Sequence, residues 1–105
     1  MTTLHILNRS PKQPQPASQC ARFYSNNDSV LLIEDAVYYA TSATYQRLLN
    51  PFQLRKNQPT PTVYALVEDL EARGLASLIH SDIKPISYDQ FVDLTVTHDK
   101  TSSWY

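Results

Sequence analysis

Short apolar runs alternate with segments of helical periodicity along the first third of the chain. The run around Leu4 is followed by turn-forming residues, which predicts a strand over residues 3–8. Closely spaced prolines keep residues 9–15 in a loop, and a helix begins at about Pro16, because proline fits the first helical position. The apolar stripe of this helix consists of Ala17, Cys20, Ala21 and Tyr24.

The middle of the chain repeats this alternation. Residues 30–33 form a continuous apolar run that is typical of a central strand covered on both faces. Asp35 is predicted to cap a long helix over residues 36–49, which ends at the Asn-Pro pair that follows. Residues 51–61 are predicted to form an extended surface loop, and residues 62–66 a third strand.

The last third of the chain carries clearer helix signals. Acidic residues near the start and Gly74 just after the end predict a short helix over residues 67–73. Residues 83–86 include a proline and therefore fit only an edge strand. Ser87 and Gln90 form a capping-box pattern at the start of a fourth helix. The apolar face of that helix holds Tyr88, Phe91, Val92, Thr95 and Val96.

This alternation predicts an α/β fold, with one three-layer α/β/α domain over residues 1–105 around a mostly parallel sheet of about four to five strands. A length of 105 residues leaves room for one such domain. Only 18% of the residues are charged, which leaves more uncharged surface than a free monomer needs and indicates protein partners. The net charge of −1 gives no cationic field, so direct binding to nucleic acid is not expected.

The residue counts exclude several kinds of site. With Gly74 as its one glycine, the chain has neither a GxGxxG loop nor a P-loop, so no nucleotide cofactor is expected. His5, His80 and His98 lie far apart and accompany one cysteine, so no metal site is expected. No signal pattern and no apolar run of membrane-spanning length are present, so we expect a cytoplasmic protein without membrane contact.

Cys20 is the candidate for covalent chemistry. A thiolate accepts a sulfane sulfur as a persulfide and passes it to another thiolate without a cofactor. The position of Cys20 on an apolar stripe instead favours a small buried hydrophobe. Both interpretations stay open from the residues alone, and a relay through Cys20 would need a thiol on another polypeptide, because the chain has no second cysteine.

Two acidic residues and one histidine give weaker signals. Glu34 and Asp35 follow the central strand, where a doubly wound sheet places its ligand crevice, but acidic residues also commonly cap helices. His5 lies within a predicted strand, which favours a hydrogen-bonded sheet histidine over a catalytic base. No histidine is assigned a catalytic role.

Aromatic residues are numerous for so small a core, with seven tyrosines, three phenylalanines and one tryptophan. They cannot all face the sheet, and aromatic residues outside a core favour interfaces. A loose C-terminal tail is the alternative for the last two residues. The predicted partner-interface residues are Tyr38, Tyr39, Tyr45, Trp104 and Tyr105.

Four segments, taken together, resemble the DsrH/TusB family, although each alone is weakly specific. One departure from the family pattern is Ala36, where members often have glycine directly after the acidic residue. The segments cover nearly the whole chain and are LHILNRSP (4–11), LLIEDAVY (31–38), VYALVEDLEARGL (63–75) and FVDLTV (91–96) with His98 and Trp104.

The resemblance implies a DsrE/F/H-like domain that acts in the cytoplasm as one subunit of a hetero-hexamer, with two copies each of three related chains. The implied partners are TusC-like and TusD-like subunits, with a TusA-like donor and a TusE-like acceptor as indirect partners. In such a relay, persulfide sulfur passes through a cysteine of the TusD-like subunit toward 2-thiolation of the wobble uridine (5-methylaminomethyl-2-thiouridine) in tRNA. The subunit that this chain resembles is implied to be non-catalytic, so no catalytic residue and no independent enzyme activity are expected.

Three other interpretations compete with this architectural role. Some DsrH-like members have a cysteine in the first helix, where Cys20 lies, so a persulfide carrier is one alternative. The Dsr branch, in which the related hexamer serves dissimilatory sulfur oxidation, is another. A flavodoxin-like cofactor binder is disfavoured because the chain lacks a recognisable phosphate loop.

Overall fold

One parallel sheet organises the computed structural model, which describes residues 1–54 and 60–105. The strands are β1 (Thr3–Leu7), β2 (Ser29–Leu32), β3 (Thr62–Leu66), β4 (Lys84–Ile86) and β5 (Lys100–Trp104). All pairings are parallel, and the order across the sheet is β4-β3-β2-β1-β5. The helices are α1 (Gln15–Phe23), a 3₁₀ helix (Glu34–Ala40), α2 (Tyr45–Gln53), α3 (Val67–Ala72) and α4 (Tyr88–Thr97).

The centre of the sheet is β2, as its apolar run predicts. All four of its residues are buried, and Val30 pairs with His5 of β1 and with Val63 of β3. A strand with neighbours on both edges and helices on both faces is stabilised by apolar side chains on both faces of the sheet. The strand β4, which contains Pro85, lies at one edge of the sheet, as expected for a residue without a ladder donor.

Apolar clusters on both faces of the sheet confirm the three-layer α/β/α architecture. The first face is the larger one and packs against α1, the 3₁₀ helix and α2, with Leu7, Cys20, Val37, Leu48 and Val63 among its members. The second face is smaller, and there α4 packs Phe91 and Leu94 against Leu4, Ile6, Leu31 and Ile86.

The predicted helix over residues 36–49 is wrong in its extent. The chain instead forms the 3₁₀ helix and then α2, which are separated at residues 41–44. The Thr44 hydroxyl donates to the carbonyl of Tyr38, which satisfies an acceptor at the end of the 3₁₀ helix and lets the chain turn. Asp35 lies in the first turn of the 3₁₀ helix and is not its N-cap, which is Ile33.

The C-terminal limit of α2 also differs from the prediction. The helix continues through Pro51 to Gln53, so the expected loop over residues 51–61 starts later, and residues 55–59 lie outside the described part of the chain. A proline near the end of the helix removes one helical hydrogen bond, and its ring crowds the carbonyl four residues earlier. Burial of Leu48, Leu49 and Phe52 on the core side stabilises this turn by more than that loss costs.

The ends of α3 and α4 follow their sequence signals. Gly74 has φ +67°, and the N–H of Leu75 donates to the carbonyl of Leu70 at 2.9 Å, which is the Schellman arrangement expected of a C-terminal glycine. At the start of α4, the Ser87 side chain accepts from the N–H of Gln90, and the Gln90 side chain accepts from the N–H of Ser87. The predicted capping box is confirmed.

Candidate functional site

The Cys20 thiol lies in the core between α1 and the sheet. Its side chain is fully buried, and it belongs to the larger apolar cluster. Burial, together with a smaller effect of the nearby Asp28 carboxylate, raises the pKa of the thiol to about 12. Since the thiolate is the nucleophile, Cys20 at neutral pH has the properties of a packing residue.

A buried network of hydrogen bonds lies next to this thiol. The Asp28 carboxylate accepts from the backbone N–H of Thr3 and of Ser25 and contacts His5 Nε2, each at 2.9 Å. Burial alone would raise the pKa of Asp28, but these hydrogen bonds and the electrostatic attraction of the His5 ring outweigh it and lower that pKa. Asp28 is therefore ionised at neutral pH and ties the α1–β2 connection to β1.

The opposite nitrogen of His5 faces the C-terminal strand. The Trp104 indole N–H donates to His5 Nδ1 at 3.0 Å. The indole can only donate, so Nδ1 acts as the acceptor and Nε2 carries the hydrogen that is donated to Asp28. Both ring nitrogens are used in structural contacts, which supports the interpretation of His5 as a hydrogen-bonded sheet histidine.

The acidic residues after β2 lie at the carboxyl edge of the sheet, as expected, and contact α3. Glu34 adopts φ +52°, and its N–H donates to the Asp69 carboxylate at 2.7 Å. The Asp35 carboxylate accepts from Nη2 and Nε of Arg73 at 3.0 and 3.2 Å. These contacts fix the backbone where β2 enters the 3₁₀ helix, and the left-handed residue is Glu34, two positions before Ala36.

The structure does not bring the five predicted interface aromatics together. Tyr39 and Tyr45 are each only 3% exposed and belong to the chain's own core. For these two residues the expected partner contact is corrected, because their rings are already covered by intrachain packing. Tyr38 and Tyr105 are exposed, and Trp104 is half-buried against His5 and Phe23.

The helix α4 carries an exposed apolar stripe that the five predicted interface residues do not include. Tyr88, Val92 and Val96 are exposed at a spacing of four residues, whereas Phe91 and Leu94 face the sheet. We call these three residues the α4 stripe. The helical periodicity of α4 could have indicated this exposed surface from the sequence, because the helix has more apolar positions than the small second face of the sheet can cover.

The described residues show no cluster of three or more His, Cys, Asp or Glu side chains able to hold a metal ion. In residues 1–54 and 60–105, no helix combines the length and apolar character needed to cross a membrane. The exposed large apolar side chains of the described residues include the α4 stripe, Phe23, Tyr38, Leu78 and Tyr105.

Comparison with known proteins identifies the family. The model of a family described as "DsrH like protein" matches residues 9–101. The chain belongs to the DsrH family. Protein TusB of Escherichia coli O1:K1 is 43% identical over 101 residues, which cover 96% of this chain and 99% of that protein. Protein TusB of Shigella boydii serotype 18 is similar to the same extent.

A solved structure supports the fold of this DsrH family member independently. The crystal structure of the E. coli ychN protein superposes with a TM-score of 0.68 and covers 99% of this chain and 100% of that one. The two sequences are only 18% identical, so this likeness shows a shared α/β fold. The predicted DsrH/TusB resemblance and the α/β fold are both confirmed.

Proposed function

We propose that this chain is an architectural subunit of a heteromeric sulfur-relay complex, in which it binds TusC-like and TusD-like chains. The observation that carries the proposal is the 43% identity to TusB proteins over nearly the full length of both chains. The reaction served by the complex is 2-thiolation of the wobble uridine in tRNA, and the assembly is a hetero-hexamer in the cytoplasm. The transferred sulfur is carried by a cysteine of the TusD-like subunit.

The environment of Cys20 supports a role without covalent catalysis. A persulfide carrier needs a thiolate that donor and acceptor thiols can approach in line. Cys20 is fully buried, and its pKa is raised to about 12. A persulfide on this sulfur would also place an additional atom inside a packed core, which is destabilising.

The exposed apolar surface supports the binding role. The α4 stripe presents one aromatic and two β-branched side chains to solvent on a helix without a buried residue. Apolar residues grouped in this way favour association with another protein. Tyr38, Trp104 and Tyr105 remain further candidates for partner contact.

Co-expression with the partner chains tests the proposal. The chain is produced together with a tagged TusD-like and an untagged TusC-like subunit, and the purified product is measured by size-exclusion chromatography with light scattering. We expect all three chains in one species with the mass of a hetero-hexamer. A chain that elutes alone as a monomer while its two partners associate would contradict the proposal.

Substitutions in the α4 stripe locate the contact. Val92→Glu and Val96→Glu are expected to remove the chain from the complex without unfolding it, because both side chains are solvent-exposed in the free chain. Leu78→Glu is the matched control, since Leu78 is exposed and apolar but lies outside α4. If all three variants assemble like the wild type, another surface binds the partners.

Wobble thiolation in a deletion strain distinguishes the tRNA pathway from sulfur oxidation. The strain lacks its own TusB protein and receives this chain together with matching TusC-like and TusD-like chains. We expect restored 2-thiolation, measured by mass spectrometry of digested tRNA. Assembly of the complex without any restored thiolation would instead favour the Dsr branch.

A further inference from the structure

A cleft opens at the carboxyl edge of the sheet, beside the ends of β1 and β2. Its volume is about 640 Å³, which lies within the range of small-molecule sites. The loop after β1, the 3₁₀ helix and α2 each contribute to its walls. The lining residues are Ser10, Pro11, Lys12, Asp35, Tyr38 and Arg47.

Hydrogen bonds fix the walls of this cleft. Arg47 Nη2 donates to the carbonyl of Pro11 at 3.0 Å, which ties α2 to the loop after β1. Within that loop, Ser10 Oγ accepts from the N–H of Lys12 at 3.2 Å. On the opposite wall, the Thr44 hydroxyl donates to the Tyr38 carbonyl. The cleft is therefore preformed, which reduces the entropy cost of binding a ligand.

The charge in the cleft is positive although the chain as a whole carries −1. In the described ranges, neither Lys12 nor Arg47 takes part in an ion pair. Residues 55–59 contain no Asp or Glu that could serve as a partner. The lining carboxylate, Asp35, is itself paired with Arg73 at 3.0 Å. The lining thus carries two cations and one carboxylate that is already paired with Arg73, so its net charge is positive.

We propose that this cleft binds a small organic anion, in which a phosphate or carboxylate group is joined to a flat ring. Guanidinium and ammonium groups are the side chains that bind such oxyanions through charge-assisted hydrogen bonds. The Tyr38 ring, 40% exposed at the cleft, supplies a surface against which the flat part of the ligand packs. The site is independent of Cys20 and of the α4 stripe.

Titration of the full-length chain with three probes tests this site by ¹H–¹⁵N NMR. Phenyl phosphate and benzoate carry the ring with each of the two oxyanions, and phenol carries the ring without the charge. We expect both anions to shift the amide signals of residues 10, 12, 35–38 and 47, and phenol to shift none of them. A response to only one of the two anions identifies which oxyanion the site takes.

Matched variants separate specific binding from general charge effects. Lys12→Gln is expected to weaken binding of the effective anion by about threefold or more, as for the loss of one exposed charged contact. Tyr38→Leu is expected to weaken it by a similar factor, because the ring loses its packing surface. Lys84→Gln, in β4 and away from the cleft lining, serves as the control and should leave the affinity unchanged.

Three results would overturn the proposal. The first is the absence of amide shifts with both anions at about 10 mM, well above a millimolar dissociation constant. The second is equal weakening by Lys12→Gln and Lys84→Gln, which would indicate nonspecific charge attraction. The third is a response to phenol as strong as that to the anions, since it would show that the ring alone is bound.

Discussion

The indole N–H of Trp104, in the last strand, donates to Nδ1 of His5 in the first strand at a distance of 3.0 Å. His5 in turn uses Nε2 to bind the Asp28 carboxylate at 2.9 Å. This chain of contacts connects the C-terminal edge strand β5 to the connection between α1 and β2. It explains why a strand as polar as β5 holds its place beside β1.

Removing the indole N–H should weaken the attachment of β5. Trp104→Phe keeps a ring next to Phe23 but leaves His5 Nδ1 without its donor, so we expect a loss of about 1–2 kcal/mol in the free energy of unfolding. Urea denaturation, monitored by circular dichroism, measures this loss. Tyr105→Phe, at the exposed neighbouring residue, is the control and should have no measurable effect.

Asp28→Asn should destabilise the fold at neutral pH by about 2–3 kcal/mol. Asp28 accepts hydrogen bonds with both oxygens, so one amide orientation places its NH₂ group against the N–H of Thr3 and the other against the N–H of Ser25. Either orientation leaves a buried donor without an acceptor. Equal unfolding midpoints for the variant and the wild type in urea would contradict this account of the network.

The Asp28 carboxyl also makes the free energy of unfolding depend on pH in the acidic range. The folded-state pKa of Asp28 is below its ordinary value of 3.8, so its contribution is fully present above about pH 4 and is lost as the pH falls toward the folded-state value. The stability difference between the wild type and Asp28→Asn should therefore shrink as the pH is lowered from 5 to about 2. A difference that is constant over this range would show that Asp28 is not the titrating group.

Cys20 should be unreactive toward thiol reagents in the folded chain. Burial raises its pKa from 9.0 to about 12, so the stability that the neutral thiol contributes is complete below pH 9 and declines only as the pH rises above it. We expect a disulfide reagent at pH 8 to modify Cys20 only at the rate of unfolding, and to modify the urea-unfolded chain rapidly. Rapid modification of the folded chain would show that the thiol is accessible.

The capping box of α4 should contribute a measurable part of the stability. Ser87→Ala removes the acceptor for the N–H of Gln90, and we expect a loss of about 1 kcal/mol in the free energy of unfolding. Ser81→Ala is the matched control, because Ser81 is exposed and lies outside the helices and strands. Similar stabilities of the two variants would mean that the cap is not formed in solution.

Local signals were sufficient for much of the fold. The capping box of α4 and the glycine after α3 determine their elements through contacts a few residues apart, and the apolar run of β2 indicates a strand covered on both faces. The structure has all three. The break between the 3₁₀ helix and α2 depends on the Thr44 hydroxyl bond to the Tyr38 carbonyl, which periodicity does not reveal. Similarly, β5 depends on pairing with β1 across more than 90 residues of chain, as Thr3 with Lys100 shows.

The site was less predictable than the fold, for a physical reason. The helical stripe placed Cys20 inward, in agreement with its burial, because the position on α1 decides which face it occupies. Periodicity predicts the burial of tyrosines less well, because an aromatic ring with a polar hydroxyl fits both the core and the surface. Tyr39 and Tyr45 are therefore buried while Tyr38 is exposed, although all three were expected at an interface.

Wobble thiolation by a reconstituted relay in which this chain carries Cys20→Ala tests the architectural role directly. Assembly is first verified by light scattering, so that a folding defect is not mistaken for a loss of sulfur transfer. We expect thiolation at the wild-type rate, and loss of thiolation when the cysteine of the TusD-like subunit is replaced instead. An assembled complex with Cys20→Ala that no longer transfers sulfur would overturn the architectural role, because it would make this buried thiol a carrier.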